Sequence, residues 1–181
     1  LEADRSHFRR ALIVVEGIFS MDGDLFPLDA LVPLAREFGA WTYVDDAHGS
    51  GVLGETGRGT LEHFGVAGQV DVVVGTLGKA LGTSGAFVAG SRALIEYVTS
   101  CARSFIFTTG TPPALAAATL EALRLCEVEG WRREAVRARA RHLRMRLRDG
   151  GRQIQGIEDG HILLNDPLAK YIPAFADVKV G

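Results

Sequence analysis

Short runs rich in β-branched residues recur along this chain with helical patterns between them, and that alternation constrains the fold more than any other feature. "ALIVVEG" (11–17), "WTYVDD" (41–46), "DVVVGT" (71–76) and "AFVAG" (86–90) have strand character, whereas "PLDALVPLAREFG" (27–39) and "SRALIEYVTSCA" (91–102) have helical spacing. Nearly continuous apolar strands need cover on both faces, which is the setting of a largely parallel sheet. The expected class is therefore α/β, a mostly parallel sheet flanked by helices. With 181 residues, 47% of them hydrophobic, the chain can bury one sizeable core, and a single domain is the simplest organisation.

The helical segments carry their own boundary signals. Leu28, Leu31, Leu34, Ala35 and Phe38 recur at helical spacing, with Asp29 as the expected cap and Gly39 as the stop. Pro33 falls early enough to be tolerated. Ser91 is expected to cap a helix that turns Leu94, Ile95 and Val98 inward, and Thr111 with Pro112 opens the next, over 112–130. From Trp131 to Arg148 arginines recur above Ala135, Val136, Ala140, Leu143 and Leu147. An RNA-binding helix would have this pattern, and so would the solvated outer face of a packed helix, which is the reading taken. Beyond Gly151 the pattern dissolves: "HILL" (161–164) is a weak strand, and "DVKV" (177–180) has no clear place.

Charge and cysteine usage narrow the function classes. A net charge of −2 gives no general pull toward nucleic acid or anionic membrane. No apolar stretch approaches the ~20 residues that span a bilayer, and "LEADRSHFRRALIVVEG" (1–17) lacks the order of a cleavable signal. A cytoplasmic protein with neither nucleic acid nor membrane as partner is expected. Cys101 and Cys126 show neither a CxxC pair nor metal spacing, so both read as ordinary thiols.

Chemistry concentrates around Lys79, which has no charged neighbour for seven residues on either side. A phosphate loop of the form GxxxxGK[ST] would need glycine where Val73 stands and a hydroxyl where Ala80 stands. "GSGVLG" (49–54) matches GxGxxG, but "DDAH" separates it from its strand and "ETGRGT" follows it, so a dinucleotide site is disfavoured. Asp45, Asp46 and His48 lie where "WTYV" ends, and ligands gather at the carboxyl ends of parallel strands. Taken alone, "DDAH" suits a turn cap as well as a metal site.

Lys79 also follows a strand end, so an amine, a carboxylate and an imidazole can converge on one ligand. Pyridoxal phosphate needs that set. Its aldehyde takes a lysine amine as a Schiff base, and a poorly solvated pocket lowers a lysine's pKa toward reactivity. Its ring nitrogen needs a carboxylate to stay protonated, and its phosphate needs hydroxyls and backbone N–H groups of the kind "GTLG" (75–78) and "FIFTTGT" (105–111) offer.

"EGIFSMDGD" (16–24), "VDDAHGSGVLGETGRG" (44–59), "GTLGKALGTSGAF" (75–87) and "FIFTTGTPP" (105–113), in this order, resemble the α-oxoamine synthases, pyridoxal-phosphate enzymes of fold type I. The resemblance covers residues 10–150 and implies that 1–150 form part of the large, cofactor-binding domain. It implies Lys79 as the covalent anchor, Asp45 as partner of the ring nitrogen, and His48 as a contact to the cofactor's O3′ that helps move protons. By the same resemblance Ser20 bonds near O3′ and Thr76 holds the phosphate. Thr108 and Thr109 reach the phosphate of a neighbouring subunit, so a homodimer with shared sites is implied, and Glu16 is a candidate substrate contact. No metal is implied.

The implied reaction is a decarboxylative condensation of an amino acid with an acyl-CoA or acyl-carrier thioester. Within the family, "DDAHGSGVLGETGRG" and "SGAF" most resemble members that join L-alanine to a pimeloyl thioester in biotin synthesis, and a glycine-using activity comes second. Family members are longer than this chain, and 151–181 is an atypical tail or the start of a truncated C-terminal domain. A partial chain is therefore expected, with a non-catalytic partner subunit as the rival from another class.

Overall fold

The computed structural model describes residues 5–151. "HILL", "DVKV" and the whole 152–181 tail lie outside the described residues. Four strands form one sheet in the order β1-β2-β3-β4: β1 (Leu12–Glu16), β2 (Trp41–Asp45), β3 (Val72–Thr76) and β4 (Ala86–Gly90). β1, β2 and β3 run parallel, and β4 is antiparallel to β3. The antiparallel edge follows from the short 77–85 connection, which has no room for the crossover that a parallel neighbour requires. Helices α1 (Leu28–Glu37) and α2 (Thr60–His63) alternate with the parallel strands, and α3 (Arg92–Cys101), α4 (Arg103–Ile106), α5 (Pro113–Val128) and α6 (Trp131–Asp149) follow β4.

The core forms where α1 and α2 meet one face of the sheet. Leu28, Leu31 and Val32 of α1, Leu61 of α2, Val44 of β2 and Val66 make a buried cluster, with Ile13, Val15 and Val73 packed against it. These strand residues share a face because Val15 pairs with Val44 and Val44 with Val73. At the opposite end of β2 and β3, the Thr42 amide and hydroxyl both donate to the Asp71 carboxylate, at 2.8 and 2.9 Å, and the Asp71 amide donates back to the Thr42 hydroxyl at 3.0 Å.

Several local expectations are corrected. Asp29 does not cap α1; Pro27 occupies that position and Asp29 sits in the first turn, where a carboxylate still favours the positive helix end. Leu34 is exposed, and Val32 takes the inward place. Gly39 stops the helix with φ of 56°, a left-handed conformation that suits glycine. Ser91 caps α3 by accepting from the Leu94 amide, and α5 starts at Pro113 with Pro112 as its cap residue. In α6 the buried residues are Arg133, Ala140 and Arg144, whereas Val136 and Leu143 are exposed. Arg133 is drawn in because its guanidinium donates to the Cys126 and Glu55 carbonyls at 2.5 and 2.9 Å. Arg137, one turn on, donates to the Val52 carbonyl at 3.1 Å.

The second face of the sheet departs from the expectation of cover on both sides. Leu12, Val14, Trp41 and Val88 lie on it and are 55%, 61%, 54% and 43% exposed.

Candidate active site

Strand register collects the chemistry on that second face. Glu16 pairs with Asp45, Asp45 with Val74, and Thr76 lies two residues further along β3, so Glu16, Asp45 and Thr76 share one face at the carboxyl ends of their strands. A slip of one residue in any pairing would turn these side chains into the core. The two turns that leave β2 and β3 then bring His48 and Lys79 together: Lys79 Nζ lies 2.9 Å from His48 Nε2, across 31 residues of sequence.

The histidine is electrostatically biased. Burial lowers the His48 pKa from its ordinary value of 6.5, the Lys79 charge lowers it further, and Glu16 and Asp45 pull the other way without prevailing. His48 is accordingly neutral at neutral pH. Its Nε2 can accept from the Lys79 amine while Nδ1 keeps the ring proton.

The remaining expected residues are placed as follows. Asp45 Oδ1 accepts from the Ala47 amide at 2.9 Å, so this carboxylate closes a turn as well as facing the cluster. The Thr76 hydroxyl donates to the Gly85 carbonyl at 3.2 Å and accepts from the Gly78 amide at 3.3 Å, which ties the ends of the Lys79 segment together. The Ser20 amide donates to Glu16 Oε2 at 3.1 Å, and the turn that carries Ser20 is closed by the Phe19 and Gly23 amides. Thr108 and Thr109 lie after α4, both exposed, and neither hydroxyl bonds any member of the cluster. Lys79 itself is exposed rather than enclosed. A cavity of about 610 Å³ opens nearby, lined by Gly51, Val52, Ala80, Leu81, Cys126 and Trp131 among others, and neither His48 nor Lys79 lines it.

Sequence reasoning placed Asp46 in the strand-end cluster, as a turn cap or metal ligand, without giving it a role of its own. It is 1% exposed and accepts from the Thr60 hydroxyl at 2.5 Å, the Thr60 amide at 3.1 Å and the Ser50 hydroxyl at 2.9 Å. Burial raises its pKa above the ordinary 3.8, against the opposing hydrogen bonds. The small and hydroxyl residues that surround it, Gly17, the Gly49–Ser50 pair and the Gly59–Thr60 pair, come from three separate stretches of the sequence. Among the described residues no group of three or more His, Cys, Asp or Glu is arranged to hold a metal ion. No described helix is long and apolar enough to cross a membrane.

The structure thus brings an exposed amine against a neutral imidazole, with a carboxylate and a hydroxyl on the same strand-end face. Residues 1–174 match the aminotransferase class I and II family. The chain belongs to that family. Within it, the chain is similar to enzymes named 8-amino-7-oxononanoate synthase and serine palmitoyltransferase. It is 59% identical over 134 residues to 8-amino-7-oxononanoate synthase of Methylococcus capsulatus, covering 74% of this chain and 35% of that protein. It is 54% identical over 146 residues to the enzyme of the same name from Cellvibrio japonicus, covering 80% and 37%. Serine palmitoyltransferase of Sphingomonas wittichii shares its structure with a TM-score of 0.75 at 38% identity, over 78% of this chain and 36% of that one. The chain thus spans 35% to 37% of the length of these curated relatives.

Proposed function

We propose that this chain carries the lysine-bearing part of an 8-amino-7-oxononanoate synthase-like acyltransferase. Such an enzyme joins an amino acid, here L-alanine, to an acyl-CoA or acyl-carrier thioester and releases carbon dioxide and the free thiol. The observation that carries the reading is the 2.9 Å approach of Lys79 Nζ to His48 Nε2 above the strand-end face that bears Asp45 and Thr76. Identities of 54% to 59% with enzymes of that name support it.

Pyridoxal phosphate fits this donor set, and when bound it supplies an electron sink for the amino acid's α-carbon. Lys79 holds it covalently through Nζ. Asp45 would accept a hydrogen bond from the protonated ring nitrogen and keep it charged, Thr76 and the amides of the following loop would hold the phosphate, and Ser20 would hydrogen-bond near O3′. His48, neutral at working pH, takes or returns a proton at Nε2 beside the lysine amine. Glu16 contacts the substrate from the adjoining strand. Thr108 and Thr109, which bond no member of this cluster, serve a second subunit in a homodimer. The unpaired thiols of Cys101 and Cys126 are in keeping with the cytoplasm.

Incubation with pyridoxal phosphate, borohydride reduction and peptide mapping test the anchor directly. Label is expected on Lys79 and lost in Lys79→Ala; label on another amine in the wild type overturns the reading. Thiol release from alanine plus an acyl-CoA, measured beside an amino-transfer assay, separates this activity from others of the family.

A further inference from the structure

Asp46 uses every polar atom it has to hold the turn in which His48 sits. Its amide donates to the Val74 carbonyl at 2.8 Å and so docks the end of β2 on β3. Its carbonyl accepts from the Gly49 and Ser50 amides at 3.1 and 2.9 Å, closing the turn on the far side of His48. Oδ2 takes the Ser50 hydroxyl, and Oδ1 takes both the amide and the hydroxyl of Thr60, fourteen residues on at the start of α2. Thr60 is 0% exposed. The carboxylate is enclosed by backbone: a Cβ at Gly17, Gly49 or Gly59 would overlap Asp46 or Thr60. The turn it holds continues into Gly51, where a Cβ would stand 2.8 Å from the Ala80 Cβ, beside Lys79.

We infer that Asp46 is a positioning residue, which sets the His48 imidazole against the Lys79 amine by clamping the 46–50 turn to Thr60. The inference deepens the proposed function and rests on its assignment of Lys79 and His48. Asp46 touches neither reacting group and acts through the turn. The Ala47 amide on Asp45 Oδ1 and the Val52 and Leu53 amides on the Gly49 carbonyl also restrain the turn, but only the Asp46 carboxylate ties it to Thr60 at the start of α2; a histidine in a looser turn would move away from the amine into solvent. Displacements on the ångström scale at a reacting pair are enough to cost ~100-fold in rate.

Two substitutions separate positioning from simple support. Asp46→Asn replaces one acceptor oxygen by a donor that faces donors. Thr60→Val removes only the hydroxyl, changes no charge and keeps the shape, while Thr60→Ser restores the hydroxyl. The His48 titration is followed by NMR on the full chain without cofactor, beside thermal unfolding and the borohydride labelling of Lys79 by pyridoxal phosphate. In Thr60→Val the His48 midpoint is expected to rise toward 6.5, because the ring gains solvent and loses the nearby amine. Half-saturating pyridoxal phosphate for labelling is expected to rise about 10-fold, and Thr60→Ser is expected to restore both values.

A Thr60→Val protein that melts earlier yet keeps the wild-type His48 midpoint would show support without positioning, and overturns the inference. If Asp46→Asn does not fold, the Thr60 pair decides. If wild-type label falls on an amine other than Lys79, the functional reading fails, while the His48 midpoint still decides the role of Asp46.

Discussion

At the scale of single residues, the contact between His48 and Lys79 makes each group a reporter on the other. Substituting Lys79 by alanine removes the second of the two influences that depress the His48 pKa, and the first, burial, is reduced as the ring gains solvent. The His48 midpoint in Lys79→Ala is therefore expected to move up toward 6.5, as read by NMR titration; an unchanged midpoint would mean that the two groups do not meet in solution. Because its folded value is depressed, His48 contributes stability that is present above pH 6.5 and lost as pH falls through the folded value. Asp46 has the opposite sign. Its raised folded value means that its contribution is fully present below pH 3.8 and lost as pH rises from there through the folded value, so wild type is expected to lose stability relative to Asp46→Asn over this rise. Urea unfolding of the two proteins across that range checks it.

At the scale of elements, the loop between β2 and α2 is held from three directions. Asp46 holds its start, Glu62 its middle, and Arg133 and Arg137 of α6 its outer edge. Burial would raise the Glu62 pKa, but hydrogen bonds from the Arg58 amide and from the Thr56 hydroxyl and amide overcome this and lower it. Stability from Glu62 is thus present above pH 4.5 and lost as pH falls through the folded value. Glu62→Gln is expected to cost about 0.5–1 kcal/mol at neutral pH, limited by solvent screening, with the deficit closing in acid. Arg133→Gln strips donors from the Glu55 and Cys126 carbonyls and is expected to cost about 1–3 kcal/mol in urea unfolding. Loss within a few tenths of a kcal/mol would mean that α6 does not depend on this contact.

Across the whole molecule, the sheet has one covered and one open face. The covered face holds the aliphatic core; the open one holds Leu12, Val14, Trp41 and Val88 and, at its carboxyl end, Glu16, Asp45 and Thr76. An apolar surface of this kind marks a site of association. The chain studied by itself is expected to bind a hydrophobic dye and to sediment above its monomer mass of 19.4 kDa at raised concentration. A non-binding monomer would show that this face is covered in solution.

The local pattern of the sequence determined which segments become strands and which helices, because backbone sterics and hydrophobic period act over a few neighbours. The runs at 11–17, 41–46, 71–76 and 86–90 contain all four strands of the described residues, Ser91 and Gly39 mark a cap and a stop where they are expected, and α5 begins one residue after the expected Pro112. The pairing register, set by the tertiary structure, put Glu16, Asp45 and Thr76 on one face. Only the tertiary structure decided that β4 runs antiparallel, that Asp46 bonds Thr60, that Arg133 goes inward and that His48 meets Lys79. Each of these joins residues whose partners are chosen by packing and by the polar groups it strands, and a free energy shared among distant segments leaves no mark on the residues beside them.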